Sequence, residues 1–203
     1  MTHPTGLQRY DAFISYGHGT RQGLVDDLHT RLERFGKPWY RARSLRVFRD
    51  RTAMAAGTDL WGAIVEAMTM SSWLVVVASP ESATSEWVNR EIEWWLRHKD
   101  ARTVLVVLVA GELRWSGAGW HRAVSPSLPP ALDRAFTAEP FWVDLRSAPG
   151  TDTVDPARLD DAVASIAAAI EGVPKDRLIG RHSTSSAAPG GTSASAAPSG
   201  SCC

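Results

Sequence analysis

The segment SEWVNREIEWWL, residues 85–96, combines carboxylates and indoles at spacings that could do chemistry. Its acidic residues are Glu86, Glu91 and Glu93, and its tryptophans are Trp87, Trp94 and Trp95. Successive residues of a helix are rotated by about 100°, which places Glu91 at about 40° and Trp95 at about 80° from Trp87. Glu86 and Glu93 fall together on the far side of the same helix. The spacing therefore predicts that Glu91 alone lies within the aromatic arc.

The two outward-facing glutamates have evident partners. Each is followed four residues later by an arginine, in the orientation that favours an ion pair. These pairs are Glu86–Arg90 and Glu93–Arg97. Glu91 instead has an indole four residues before it and another four residues after it. Desolvation by indole rings favours the neutral carboxyl group, so the pattern predicts a raised pKa for Glu91, a property over-represented in active sites.

Helix geometry alone leaves two interpretations of Glu91 open. The carboxylate can take part in a reaction, or it can be a structural group bonded to backbone or to an arginine elsewhere in the fold. Which partners the Glu91 carboxylate can contact depends on the strands and helices that pack against this helix.

Composition excludes several other classes of function. Lys plus Arg and Asp plus Glu number 22 each in 203 residues, so no net charge favours nucleic acid or an acidic membrane. Arginines concentrate in RARSLRVFRDR, residues 41–51, but no base-reading motif accompanies them, and we prefer solvated charges to a nucleic-acid site as the interpretation. The only cysteines, Cys202 and Cys203, are adjacent, which excludes a zinc site of the usual spacing. We expect neither a metal nor a resident cofactor.

The longest apolar runs are LVVVA and VLVVLVA, far shorter than the ~20 residues of a membrane span. The first residues, MTHPTGLQRY, lack the apolar stretch of a signal peptide. We therefore expect a cytoplasmic protein with no membrane partner. Residues 1–7 are expected to be a flexible N-terminus and residues 8–178 one folded domain. Residues 179–203, rich in Ser, Ala, Gly and Pro, have little to bury and are expected to be a disordered tail.

Strand-like and helix-like patterns alternate through the folded part. Strands are predicted at 10–16, 45–50, 73–79, 103–110 and 140–145. Helices are predicted at 20–35, after a cap at Thr58 or Asp59, at 85–98 and at 156–171, with an irregular segment over 111–138. This alternation is typical of an α/β fold with a parallel sheet and helices on both faces. A flavodoxin-like strand order, 2-1-3-4-5, agrees best with right-handed crossovers and two fully apolar central strands.

Ligands of such open sheets bind outside the carboxyl ends of the strands. In this chain those ends are Tyr16–Gly19, the loop after Phe48, and the residues from Ser79 onward. The candidate helix 85–98 follows the third of these ends directly.

Three familiar kinds of site do not match these strand ends. GHGTRQG, residues 17–23, has neither the dinucleotide-binding spacing nor that of a phosphate-binding Walker loop, and we interpret it as a strand-to-helix turn. A two-component receiver needs acidic residues after its first and third strands, where this chain has Ser15-Tyr16-Gly17 and Ser79-Pro80. A serine hydrolase needs a G-x-S-x-G elbow, which is absent from the sequence.

Three motifs in the right order resemble those of Toll/interleukin-1 receptor (TIR) domains of the bacterial type. YDAFISYGHG, residues 10–19, is similar to the first box of that family. LRVFRDRTAMAAGTDLW, residues 45–61, is similar to its second strand and the following BB loop, and SEWVNREIEWWL to its W-x-x-x-E helix. The resemblance covers roughly residues 8–175 and implies the flavodoxin-like TIR fold.

The resemblance also implies roles for particular residues. It places Glu91 at the catalytic glutamate of those TIR domains that hydrolyse NAD to nicotinamide and ADP-ribose or a cyclic product. The substrate cleft would be lined by Tyr16, Gly17, Phe48, Asp50 and Trp87. The interaction surface at the BB loop would include Arg49, Arg51, Ala56 and Gly57.

Two functions follow from the resemblance, because the family contains both enzymes and adaptors. The first is a signalling or defence enzyme that takes NAD as its substrate and acts through Glu91. The second is a non-catalytic module that self-associates or recruits partners in signal transduction. Homotypic TIR–TIR association is expected in either case, because family hydrolases often assemble to complete their sites.

Overall fold

A parallel sheet of five strands forms the centre of the chain in this computed structural model. In chain order the strands are β1 (Tyr10–Tyr16), β2 (Val47–Arg49), β3 (Ser71–Ala78) and β4 (Val104–Leu108), then the short strands β5 (Trp115–Ser116) and β6 (Gly119–Trp120), and finally β7 (Trp142–Asp144). The sheet has the order β2-β1-β3-β4-β7, whereas β5 and β6 form a separate antiparallel pair. The predicted flavodoxin-like order is confirmed, with β7 as the fifth strand.

The structure describes residues 10–35, 45–49, 59–117, 119–148, 151 and 153–175, except the side chain of Arg122. The predicted N-terminal segment 1–7 and tail 179–203 lie outside these ranges. So do four of the predicted site residues, Asp50, Arg51, Ala56 and Gly57.

Helices cover both faces of the sheet. They are α1 (Gln22–Arg34), α2 (Leu60–Thr69), α3 (Pro80–Thr84), α4 (Glu86–His98) and α5 (Pro156–Glu171). Side chains alternate along a strand, so Val75 and Val77 of β3 pack in the core with α1 and α5. Leu74 and Val76 pack on the other face, in the core with α2 and α4. A central strand buried on both faces explains why β3 is apolar without interruption from Trp73 to Ala78.

Polar side chains fix where several helices begin. Asp59 accepts a hydrogen bond from the Gly62 backbone N–H at 2.8 Å and caps α2, as one of the two predicted candidates. Ser85 accepts from the Val88 N–H at 3.3 Å and caps α4. Each cap satisfies one of the backbone donors that a helix start leaves without an intrahelical partner.

Two small features within predicted loops were missed. Helix α3 has five residues, and the β5–β6 pair has two residues per strand. Elements this short do not complete enough of a period to be recognised from hydrophobic spacing. The β5–β6 pair is held by an edge-on contact between Trp115 and Trp120, whose ring centroids lie 5.3 Å apart.

Asp144, at the end of β7, makes stability depend on pH. Burial opposes its ionisation, but hydrogen bonds from Arg146 and the charges of Arg146 and Arg158 outweigh burial and lower the pKa of Asp144. A lowered pKa in the folded state stabilises the fold above the pKa of the unfolded state and loses that contribution as pH falls.

We therefore expect Asp144→Asn to be less stable than wild type at pH 7, by less than about 1 kcal/mol because the pair is partly exposed. The difference should begin to shrink below about pH 4, where the carboxyl group of the unfolded chain becomes protonated, and should be lost as pH falls through the lower pKa of the folded protein. Urea unfolding at pH 7 and pH 3 measures both values. A difference that stays constant across this range would contradict the assignment.

Candidate active site

Glu91 lies on the buried face of α4. It is only 2% exposed and shares that face with Val88, Ile92 and Trp95, all of which are buried. Glu86 and Glu93 are exposed, on the opposite side of the helix. The three glutamates of this segment therefore have different surroundings, because successive helical residues turn by about 100°.

Ser15 of β1 donates a hydrogen bond from its hydroxyl group to Oε2 of Glu91. The alternation of side chains along β1 brings the two together. Phe13 belongs to the core with α2 and α4, whereas Ile14 belongs to the core with α1 and α5. Ser15 follows Phe13 by two residues and so points to the α4 face of the sheet. Ser15 was not among the predicted site residues, although the alternation along β1 indicates the face to which it points.

Tyr16 and Arg49 lie beside each other at the carboxyl ends of the neighbouring strands β1 and β2. The Arg49 guanidinium lies 5.8 Å from the centroid of the Tyr16 ring and forms an ion pair with Asp26 of α1. Its side chain is 7% exposed, and its buried Nε has no hydrogen-bond partner. Arg49, predicted for the interaction surface at the BB loop, is thus the last residue of β2, and its side chain is buried.

Gly17 forms a tight junction between the end of β1 and α3. Its backbone N–H donates to Oγ of Ser82 at 3.1 Å. A Cβ at this position would lie 2.8 Å from the backbone nitrogen of Ser82, closer than real Cβ contacts. The Ser82 hydroxyl in turn donates to the carbonyl of Val77 at 2.6 Å, which ties α3 to β3. Thr20 and Ser79 complete this buried polar cluster, with their hydroxyl oxygens 3.1 Å apart.

Trp87 is 41% exposed and faces Trp61 of α2, with ring centroids 6.0 Å apart. The Arg90 guanidinium lies 3.8 Å from the Trp61 centroid and 5.8 Å from that of Trp87. The three residues form a partly exposed group that we call the indole–arginine cluster. Trp87 and Arg90 belong to α4 and lie close to Glu91 along that helix, but their side chains are exposed whereas Glu91 is buried.

One of the two predicted ion pairs on α4 is wrong. Arg97 and Glu93 are paired at 2.7 Å, as expected. Arg90 lies over Trp61 instead, and the described residues include no ion pair between Arg90 and Glu86. A partly desolvated cation over an indole is worth about 0.5–2 kcal/mol, more than the ~0.3–0.5 kcal/mol of an exposed helical ion pair.

Phe48 lies within the sheet, where its ring stacks on Phe13 at 5.5 Å and meets Tyr10 edge-on at 5.1 Å. These contacts place Phe48 on the face of the sheet that packs against α2 and α4. Ser15 points to the same face. Of the predicted site residues, the structure thus describes Glu91, Tyr16, Gly17, Phe48, Trp87 and Arg49. Ser15, Tyr16 and Gly17 follow one another at the end of β1, with Arg49 beside Tyr16 and Glu91 hydrogen-bonded to Ser15.

Within the described ranges, no group of three or more His, Cys, Asp or Glu side chains is arranged to hold a metal ion. The helices of the same ranges include none that is both long and apolar enough to cross a membrane.

These features agree with a known protein family. The sequence pattern of the TIR domain family matches residues 12–159, and this chain belongs to the TIR domain family. A curated bacterial relative, the NAD(+) hydrolase ApTIR of an Actinoplanes species, is 40% identical over 176 residues. That match covers 85% of this chain but 24% of the relative, so the chain spans about a quarter of the relative's length.

Two solved structures are also similar. The TIR domain of the Toll-related receptor TRR-2 of Hydra magnipapillata is 22% identical, with a TM-score of 0.39 over 49% of this chain and 70% of that chain. The TIR domains of the activated Roq1 resistosome, which recognises the pathogen effector XopQ, are 25% identical. Their TM-score is also 0.39, over 52% of this chain and 59% of that chain.

Proposed function

We propose that this TIR domain cleaves NAD into nicotinamide and ADP-ribose or a cyclic product, and that Glu91 carries the reaction. The observation that supports the proposal is a buried carboxylate held by Ser15 next to the carboxyl end of β1. Ligands of open α/β sheets bind at this edge. The name of the Actinoplanes relative, which is an NAD(+) hydrolase, points to the same substrate.

The chemistry suits a single carboxylate. Cleavage breaks the bond between C1′ of the ribose and the nicotinamide nitrogen, and the bonding electrons leave with the nicotinamide. The pyridinium is thereby neutralised, so no acid has to protonate the leaving group. The ribose develops oxocarbenium character, and a nearby anion stabilises that positive charge. A water molecule then adds to C1′ and releases one proton to give ADP-ribose, or an internal nucleophile of the ADP-ribose adds to give the cyclic product.

The burial of Glu91 sets a condition on this reaction. A carboxylate that is 2% exposed reaches a ribose only after the groups that cover it have moved. We propose that homotypic association of TIR domains supplies this change, so that the rate per molecule rises with protein concentration. Because the substrate is NAD of the cell interior, a cytoplasmic location is part of the same proposal.

The indole–arginine cluster of Trp61, Trp87 and Arg90 is proposed to hold the substrate. The exposed indole of Trp87 offers a stacking surface for a planar base, and the Arg90 guanidinium offers a positive charge for a pyrophosphate. Stacking of a base on an aromatic side chain is worth about 1–3 kcal/mol.

For Trp87→Ala we therefore expect the KM for NAD to rise about tenfold or more, with kcat changed much less. Steady-state kinetics of nicotinamide release separates the two constants. Trp94→Ala is the matched control, because Trp94 lies on the same helix but stacks on His98, with ring centroids 4.4 Å apart. Equal KM values for the two variants would exclude Trp87 from substrate binding.

The test of the proposed function measures nicotinamide release from NAD by chromatography. The wild-type chain is assayed at high concentration and also tethered in an assembly, with Glu91→Ala under the same conditions. Release by wild type that Glu91→Ala abolishes supports the proposal. No release by wild type in either form, or equal release by both proteins, rejects it.

The burial of Glu91 also favours a second candidate, a non-catalytic interaction module. In that case the Ser15–Glu91 hydrogen bond is a structural contact within the core. The chain should then associate with TIR domains whether or not Glu91 is present, and Gly57→Glu in the predicted BB loop should abolish the association. Light scattering of the wild type, Glu91→Ala and Gly57→Glu measures this, alongside the absence of nicotinamide release.

A further inference from the structure

We infer that Ser15 is a positioning residue that fixes the orientation of the Glu91 carboxylate for cleavage of NAD. The inference rests on the proposed function and adds to it a residue from the sheet. Ser15 acts through Glu91 and is not proposed to touch the substrate.

The first argument is the setting of the hydrogen bond. Ser15 is 0% exposed and Glu91 2% exposed, so bulk water does not take the place of the hydroxyl group. A buried carboxylate retains its charge only where hydrogen bonds or opposite charges replace the water it has lost. The Ser15 hydroxyl supplies one such bond to Oε2.

The second argument comes from the other buried hydroxyl groups of the described chain. Several donate to backbone carbonyl oxygens, as Ser82 does to Val77 at 2.6 Å and Ser71 does to Ala67 at 2.8 Å. Such bonds fasten helices and strand ends to each other. Within the described residues, Ser15 is the buried hydroxyl that donates to a carboxylate. Its partner is also the carboxylate that the proposed reaction needs.

The third argument concerns what a fixed oxygen does. A glutamate carboxylate turns about its last side-chain bond, and a donor at Oε2 fixes the plane that contains both oxygens. Reaction requires the charge to lie close to the ribose in a narrow range of directions, and small misplacements lower the rate strongly. The donor is mounted on β1, which is hydrogen-bonded to β2 on one side and to β3 on the other. The rigid sheet therefore orients a side chain that originates from a helix.

The experiment compares Ser15→Ala and Ser15→Thr with wild type in steady-state NAD cleavage. Ser15→Ala should lower kcat about 10- to 100-fold, the worth of a hydrogen bond to a charged group, and leave KM within about twofold. Ser15→Thr retains the hydroxyl group and should restore most of kcat. Thermal unfolding of each variant shows that it is folded under the conditions of the assay.

Ser71→Ala is the matched control. It also removes a fully buried hydroxyl group from a strand. Ser71 is the first residue of β3, however, and so lies at the amino ends of the strands, whereas Glu91 lies near the carboxyl end of β1. We expect its kcat to equal that of wild type even where its Tm falls as much as that of Ser15→Ala. A loss of kcat in Ser71→Ala as large as in Ser15→Ala would show that the effect is only structural and would overturn the inference.

The outcomes separate the inference from the proposed function. If wild type releases nicotinamide and folded Ser15→Ala matches its kcat, the positioning role is wrong while the proposed function stands. The positioning role is also wrong if Ser15→Thr is as slow as Ser15→Ala although both are folded. If no form of wild type releases nicotinamide, the proposed function fails and the inference fails with it.

Discussion

Glutamine in place of Glu91 is expected to lower the rate of nicotinamide release by roughly 10²- to 10³-fold, the usual effect of removing one electrostatic contact with a transition state. Glutamine has nearly the size and shape of glutamate, and its amide oxygen can accept the hydrogen bond from Ser15. What it lacks is the negative charge that stabilises the developing oxocarbenium ion. The loss should therefore appear in kcat.

The stability of the same variant distinguishes a catalytic carboxylate from a structural one. A buried charge held for function costs stability, so Glu91→Gln should unfold at the same temperature as wild type or a higher one. If Glu91 is instead a structural carboxylate, Glu91→Gln should have a clearly lower Tm than wild type, and neither protein should release nicotinamide. Calorimetry and the nicotinamide assay on one preparation measure both quantities.

Glu93→Gln is the control on the same helix. Glu93 is exposed and paired with Arg97, so its replacement should leave kcat unchanged and alter stability by less than about 1 kcal/mol. If the kcat of Glu91→Gln equals that of Glu93→Gln, Glu91 is not the reacting group.

The second large effect is expected at Gly17. A methyl group there would lie 2.8–2.9 Å from backbone atoms of Glu81 and Ser82, which cannot rotate aside as a flexible side chain could. Overpacking of this kind costs about 1–3 kcal/mol, and we expect Gly17→Ala to fall near the upper end of that range. The change would also disturb the hydrogen bond that the Gly17 backbone N–H donates to Oγ of Ser82.

Gly23→Ala provides the matched comparison. Gly23 lies within α1, and a Cβ there would meet nothing within 4 Å. Alanine has the higher helix propensity, so this variant should gain up to about 1 kcal/mol. Urea unfolding should therefore show the two alanine variants moving in opposite directions from wild type. A Gly17→Ala protein as stable as Gly23→Ala would show that the junction between β1 and α3 is loose.

Much of the fold could be predicted because its signals are local. The apolar run of β3 from Trp73 to Ala78 and a cap at Thr58 or Asp59 follow from neighbouring residues alone. The alternation of strands and helices, together with right-handed crossovers, predicted the order of the sheet. The short helix α3 and the β5–β6 pair could not be predicted, because neither element is long enough to repeat a pattern.

The site was less accessible to sequence reasoning. Helix geometry identified Glu91 as unlike its neighbours, but its partner Ser15 lies 76 residues away along the chain. Only the packing of α4 against β1 brings the two side chains together. The same limitation applies to Arg90, for which a partner four residues away along α4 was expected. The ring nearest to the Arg90 guanidinium, that of Trp61, belongs to α2, which no local rule could indicate.

The double attachment at the end of β1 has a consequence for how the protein responds to heat. Ser15 binds α4 and Gly17 binds α3, so the strand end and both helices form one mechanical unit. The sheet and these helices would have to separate before the hydrogen bond between the Ser15 hydroxyl group and the Glu91 carboxylate could break. Inactivation on warming should therefore coincide with melting of the whole domain and not precede it, in contrast to enzymes whose reacting groups sit on independently mobile loops.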